Sequence, residues 1–224
     1  MRHGYLLSAL LLVAATSHAG VVINGTRLVY QGDKKESSLG LSNPDATDYL
    51  VQSWVDSGGK NPAKAPFLIT PPLFRLDAKE DNVLRVVRTG GNLPEDRESL
   101  YWLNIKAIPS SKHVEGVNTL QIAINTRIKL LYRPSAITGK PETVADKLQW
   151  HREGHDLVVN NPTPFYMNFQ TVMLNGHKVD KATWAVPKTE THFALPDNAS
   201  GSTVTYSIIT DYGSISQTWS ASVH

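Results

Sequence analysis

The chain of 224 residues contains no cysteine. That excludes a disulfide framework and any thiolate metal or redox site, so the fold has to be held by core packing. A dominant charge is missing as well: 22 Lys plus Arg stand against 20 Asp plus Glu. Such a balance gives no electrostatic footprint for a nucleic-acid partner. Helical periodicity, low-complexity tracts and internal repeats are also wanting. Beyond the first residues no apolar run approaches the roughly 20 residues that span a bilayer, so no membrane insertion is expected.

What the chain does have begins with "MRHGYLLSALLLVAATSHAG". Arg2 precedes an apolar stretch from Tyr5 to Ala15, and small residues stand at Ser17 and Ala19. This is the order of a secretory signal peptide. The expected signal is residues 1–19, with cleavage after Ala19 leaving Gly20 as the new N-terminus. The remaining 224 − 19 = 205 residues suffice for one large domain or two ordinary ones. The mature protein is expected to be exported and soluble.

Short runs rich in Val, Ile, Leu, Tyr and Thr, punctuated by Gly, Pro, Asn and Asp, read as strands. In the first half these are "GVVINGTRLVY", "SSLGLSN", "YLVQSWV", "PFLITPPLFRL", "NVLRVVRT", "LYWLNIKAI" and "NTLQIAINTRIKLLY". Seven strands in about 115 residues fit an immunoglobulin-like β-sandwich. "RPSAITGKPETVADK" interrupts the pattern and reads as a linker, with "TVADK" a possible helical turn. Strand-like runs then resume through "KLQWHRE", "DLVVNN", "FYMNFQTVML", "HFAL", "TVTYSIITDY" and "SQTWSASV". The expected fold is all-β: two immunoglobulin-like β-sandwich domains, residues 20–138 and 147–224, joined by a short hinge at 139–146. In "ITPPLFRL", either Thr70–Pro71 or Pro71–Pro72 is a candidate cis bond, or both are trans where a strand begins.

One stretch is too long for an ordinary strand. In "TLQIAINTRIKLLYRP", residues 119–134, the even positions from Leu120 onward hold Leu, Ile, Ile, Thr, Ile, Leu and Tyr. That period-two pattern gives one apolar and one mostly polar face, over more than twice the usual length of about 5–6 residues. The apolar face either packs on the chain's own core or serves another molecule; the pattern alone fits both.

Catalytic signatures are few. "HREGH" places His151 and His155 around Glu153, but a zinc motif of that spacing needs a helix, and Gly154 amid strand-like residues argues for a hairpin. No nucleophile elbow and no phosphate-cradling glycine loop occurs. No enzyme activity, metal, cofactor or small-molecule substrate is expected.

"TRLVY", "ITPPLFRL", "LPEDRESLYWLN", "AIPS", "LQIAINTRIKLLYRP", "NPTPFYMNF" and "TDYG" occur in an order and spacing that resembles the periplasmic pilus chaperones. The likeness extends over nearly the whole mature chain, and the brief link between "AIPS" and "TLQIAI" resembles the short-loop branch, nearest to type 1 and P-pilus chaperones. The resemblance implies a cleft between the two domains and a periplasmic location. It implies pilus subunits as partners, each a sandwich lacking its last strand, and an outer-membrane usher as recipient. Leu120, Ile122 and Ile124 match the donor residues that fill the subunit's groove. Arg27 and Lys129 match the pair that binds the subunit's C-terminal carboxylate. Glu98, Arg133 and Asp211 match an interdomain ion network. The alternative function is a secreted β-sandwich adhesin, or a carbohydrate-binding or fibre subunit. Against the fibre subunit, "GVVINGTRLVY" starts a strand directly after the expected cleavage site, with no room for a donor extension.

Overall fold

The computed structural model describes residues 20–60, 62, 64–111, 120–196 and 199–224. The expected signal peptide and its cleavage site at Ala19 lie outside the described residues, as does the link from 112 to 119. No α-helix occurs among the described residues, and the strands form two sandwiches.

The first sandwich holds β1 (Val22–Ile23), β2 (Arg27–Gln31), β3 (Ser37–Ser42), β4 (Tyr49–Asp56), β5 (Phe67–Thr70), β6 (Leu73–Leu76), β7 (Asp81–Arg88), β8 (Ser99–Pro109) and β9 (Ile124–Arg133). One sheet runs β1-β3-β7-β5 and the other β2-β9-β8-β4-β6. Alternate residues of both sheets meet in a core that includes Tyr30, Leu41, Leu84, Leu103, Leu130 and Tyr132. The second sandwich holds β10 (Gln149–Glu153), β11 (Asp156–Asn161), β12 (Met167–Leu174), β13 (His177–Lys178), β14 (Trp184–Ala185), β15 (Thr189–Ala194), β16 (Thr203–Ile208) and β17 (Trp219–Ser222). Its core gathers around Trp150, Phe165, Met167 and Tyr206.

Two runs that read as single strands are split between sheets. "GVVINGTRLVY" turns at Ile23–Gly25, where the Gly25 amide donates to the Ile23 carbonyl at 2.9 Å. β1 then pairs with β3 in one sheet, while β2 pairs in parallel with β9 in the other. "PFLITPPLFRL" breaks at its prolines, which cannot donate to a ladder. Thr70–Pro71 is the cis bond, with β5 before it on β7 and β6 after it on β4.

The long alternating stretch is shorter as a strand than its pattern suggests. β9 begins at Ile124, and its last rung on β8 pairs Ile124 with Ala107. Two residues further along β8 stands Pro109, which has no amide to continue the ladder. Between the sandwiches, the linker forms two short 3-10 turns, Pro141–Thr143 and Ala145–Lys147, rather than one turn spanning 143–147. Ala145 is fully buried in the second core, and its carbonyl accepts the Tyr206 hydroxyl at 2.8 Å. The "HREGH" residues form a hairpin: β10 ends at Glu153, Gly154 turns with φ +58°, and β11 starts at Asp156.

Candidate functional site: an open strand edge beside a cationic cleft

β2 and β9 run in parallel with Arg27 opposite Lys129 and Gln31 opposite Arg133. β2 therefore covers only the second half of β9. From Ile124 to Ile128, β9 has β8 on one side and, among the described residues, no strand on the other. The cause is local: the turn at Ile23–Gly25 sends β1 to the opposite sheet, so among the described residues no strand precedes β2 along that edge. An unpaired edge is a template for a further strand.

The even-numbered side chains follow the same division. Ile128, Leu130 and Tyr132 are 7%, 0% and 1% exposed, whereas Leu120, Ile122 and Ile124 are 88%, 65% and 51% exposed. The apolar face thus leaves the core as it passes towards the N-terminal end of the segment. Ile122 and Ile124 line a hollow of about 440 Å³ at the open end of the sandwich, with Val21, Ile23, Tyr49 and Ile105. Exposing three large aliphatic side chains on one line forgoes about 1.5–3 kcal/mol of burial for each.

Arg27 and Lys129 are adjacent on neighbouring strands, at the point where the open edge meets β2. The Arg27 Nη1 donates to the Ile209 carbonyl of the second sandwich at 3.2 Å. Its Nε is buried with no hydrogen-bond partner among the described residues. Burial pulls the Arg27 guanidinium below its usual value, with Asp211 acting in the opposite sense. Lys129 donates to Asn168 Oδ1 at 2.5 Å and lies 4.3 Å over the Trp184 ring, both in the second sandwich. Burial, and then the neighbouring Arg27 charge, bring the ammonium down to about 8. Two partly buried cations stand side by side, and no ion pair to a carboxylate is found for either among the described residues. Such a pair is poised to take an anion, which would offset both burial and mutual repulsion.

Glu98, Arg133 and Asp211 meet at the junction of the sandwiches. Arg133 donates from Nε to Glu98 Oε1 and from both terminal nitrogens to the two Asp211 oxygens, each at 2.8 Å. Glu98 also accepts from the Tyr166 amide at 2.8 Å, and its own amide donates to the Pro164 carbonyl at 2.9 Å. The Arg133 side chain is 3% exposed and that of Glu98 is fully enclosed. Burial raises the Glu98 carboxyl above the usual range, against the pull of Arg133 and the Tyr166 amide. Residues from both sandwiches are thus bonded to one planar guanidinium.

Five further residues pack around the cleft, none of them singled out as a site residue from the sequence. The Arg127 guanidinium lies 4.5 Å over the Trp102 ring and pairs with Asp56 at 2.8 Å. Trp102 in turn meets Trp184 edge to face, with ring centroids 6.2 Å apart. Trp184 sits in an unremarkable run and Asn168 within "NPTPFYMNF", and only the packing of β12 and β14 brings them to Lys129.

Residues 20–138 match the family described as "Pili and flagellar-assembly chaperone, PapD N-terminal domain". Residues 143–220 match "Pili assembly chaperone PapD, C-terminal domain". The chain belongs to this chaperone family, and its function is that of a pilus-assembly chaperone. It is 42% identical over 212 residues to the probable fimbrial chaperone LpfB of Escherichia coli O157:H7, covering 93% of this chain and 91% of that one. It is 41% identical over 219 residues to the chaperone protein FimC of Escherichia coli K12, covering 95% and 88%. Among solved structures, a chain of the Salmonella enterica SafA pilin–SafB chaperone complex superposes with a TM-score of 0.84 at 38% identity, covering 93% of this chain and 98% of that one. The Escherichia coli chaperone DraB gives 0.82 at 39% identity, covering 92% and 97%.

Proposed function

We propose that this protein works in the periplasm, binding pilus subunits by donor-strand complementation and passing them to an outer-membrane usher. One observation carries the reading: the exposed apolar side chains Leu120, Ile122 and Ile124 lead into the unpaired stretch of the β9 edge, Ile124 to Ile128, and that open edge ends at Arg27 and Lys129. In this reading Leu120, Ile122 and Ile124 enter the groove of a subunit that lacks a strand, while backbone groups of β9 pair with the groove's rim. The subunit's terminal carboxylate binds Arg27 and Lys129. A strand that ends at the point where β2 begins, and approaches from the Leu120 end, runs parallel to β9 and in line with β2. The carboxylate thereby fixes register, which apolar alternation alone leaves free to slip by two residues.

The domains are assigned as residues 20–138, carrying the donor strand, and 147–224, forming the far wall of the cleft, with 139–146 between them. Glu98, Arg133 and Asp211 hold the wall at its angle. Residues 1–19 direct export and are removed by cleavage after Ala19, and the role is non-enzymatic. Among the described residues no helix is long and apolar enough to cross a membrane.

Co-expression with a pilus subunit tests the reading. The wild type is expected to bring the subunit through purification in one-to-one complex. A subunit shortened at its C-terminus should be lost, as should the intact subunit when Leu120, Ile122 and Ile124 are all replaced by serine. Undiminished complex from that triple variant would overturn the donor-strand role.

A further inference from the structure

Among the described residues Lys129 has no carboxylate partner, yet its ammonium is not loose. Its ammonium is enclosed between Asn168 Oδ1 at 2.5 Å and the face of Trp184 at 4.3 Å. Neither contact comes from the sandwich that carries Lys129: Asn168 lies on β12, and Trp184 on β14, whose pairing with β12 sets Trp184 opposite Asn168. Trp184 is itself braced edge to face by Trp102, the β8 residue paired with Lys129. Every other charge near the ammonium is repulsive or remote. Arg27 opposes it on β2, Arg127 stands two residues back on its own strand, and Lys178 and Lys181 line the same hollow as Lys129 and Trp184. Of the carboxylates around the cleft, Asp211 acts on Arg27 and is bonded to Arg133, and Asp56, paired on β4 with Trp102, is bonded to Arg127. A π face and an amide oxygen are therefore what favours the charged form here.

We propose that Trp184 and Asn168 are positioning residues for the anchor: the second sandwich holds Lys129 charged and aimed into the cleft before a partner arrives. This rests on the reading of Lys129 as a carboxylate anchor. On binding, the ammonium can exchange the Asn168 oxygen for a carboxylate oxygen while keeping the Trp184 face, so little of the anchor has to be reordered. The second sandwich then contributes to affinity through the state of Lys129 as well as by walling the cleft.

The test uses the whole mature protein with 13C-labelled lysine, reading the Lys129 Cε titration by NMR in the wild type, Trp184→Leu and Trp184→Phe. Leucine keeps apolar cover but removes the π face, and phenylalanine restores part of it. The Leu variant is expected to titrate about half a unit to one unit lower than wild type, with Phe between them. In parallel, binding is measured at pH 7 and pH 8 for a synthetic peptide of alternating valines with a free C-terminal carboxylate, and for its C-terminal amide. The acid-over-amide preference should fall about three- to tenfold in Trp184→Leu at pH 8, and less at pH 7. A Lys129 midpoint unmoved in Trp184→Leu overturns the positioning role. A wild type that binds acid and amide alike, or neither, instead overturns the carboxylate anchor, with the NMR midpoint still deciding whether Trp184 holds the ammonium.

Discussion

The two halves of the β9 segment share one apolar pattern and meet opposite fates. From Ile128 to Tyr132 the even side chains are sealed beneath the second sheet, and β2 closes the strand's edge. From Leu120 to Ile124 the same kind of side chain is exposed, and the edge beside it is open. Nothing in residue type separates them, since isoleucine and leucine occur in both halves. What separates them is which neighbouring strands reach that far. The buried half holds the domain together, and the exposed half carries an apolar surface that a free protein gains nothing from displaying.

The sharpest way to break the comparison is to place one charge in each half. Leu130→Asp should unfold the first domain, because an unpaired carboxylate at a fully buried site typically costs more than about 4 kcal/mol. Ile122→Asp should change thermal stability by less than about 0.5 kcal/mol, as exposed substitutions do, while abolishing co-purification of a subunit. Thermal unfolding and complex yield on both proteins decide it. Equal loss of melting temperature in the two variants would mean that the halves are one core.

Next in size is the charged junction of the two sandwiches, beside the open half. Arg133→Ala leaves Glu98 and Asp211 close together without their common partner. Breaking a buried pair in this way costs about 3–5 kcal/mol. The expected result is a broadened interdomain arrangement in small-angle scattering and a lower yield of subunit complex. An unchanged scattering profile would remove this trio from any role in cleft geometry.

A smaller effect separates function from stability at the boundary of the halves. The folded protein holds Lys129 near 8, below its ordinary 10.5, chiefly through burial. The unfolded chain then binds more protons between about pH 8 and 10.5, so this group makes stability rise with pH across that window. At neutral pH the buried charge is a cost, and Lys129→Met should raise the melting temperature of the free protein by a few degrees while eliminating carboxylate-dependent capture. A destabilised Met variant would mean that Lys129 serves the fold. The smallest expected change needs no mutation. Complex stability should decline as pH rises through about 8, in step with loss of the ammonium, and a flat profile from pH 7 to 9 would exclude a charged Lys129 as anchor.

Much of this was legible in the residues. The strand-rich pattern and the interruption at 133–147 gave two sandwiches, while the charges that meet at the junction came only through the family resemblance of "RESLYW", "TRIKLLYRP" and "TDYG". The split runs were harder to see. "GVVINGTRLVY" and "PFLITPPLFRL" each alternate well enough for one strand, and which sheet each half joins depends on hydrogen-bonding partners far away in sequence. Trp184 gave no sign, and "NPTPFYMNF" did not show that Asn168 meets Lys129, because contacts across two domains leave no spacing behind.

By itself, then, the sequence determined which side chains of residues 120–132 share a face, because side-chain alternation is a property of the extended backbone. It also set the places where pairing must stop, at the turn of Gly25 and at Pro109. Only the tertiary structure decided which part of that face is core and which is surface. Burial is conferred by strands distant in the chain, and here β1 crosses to the other sheet before it can cover Ile124 to Ile128.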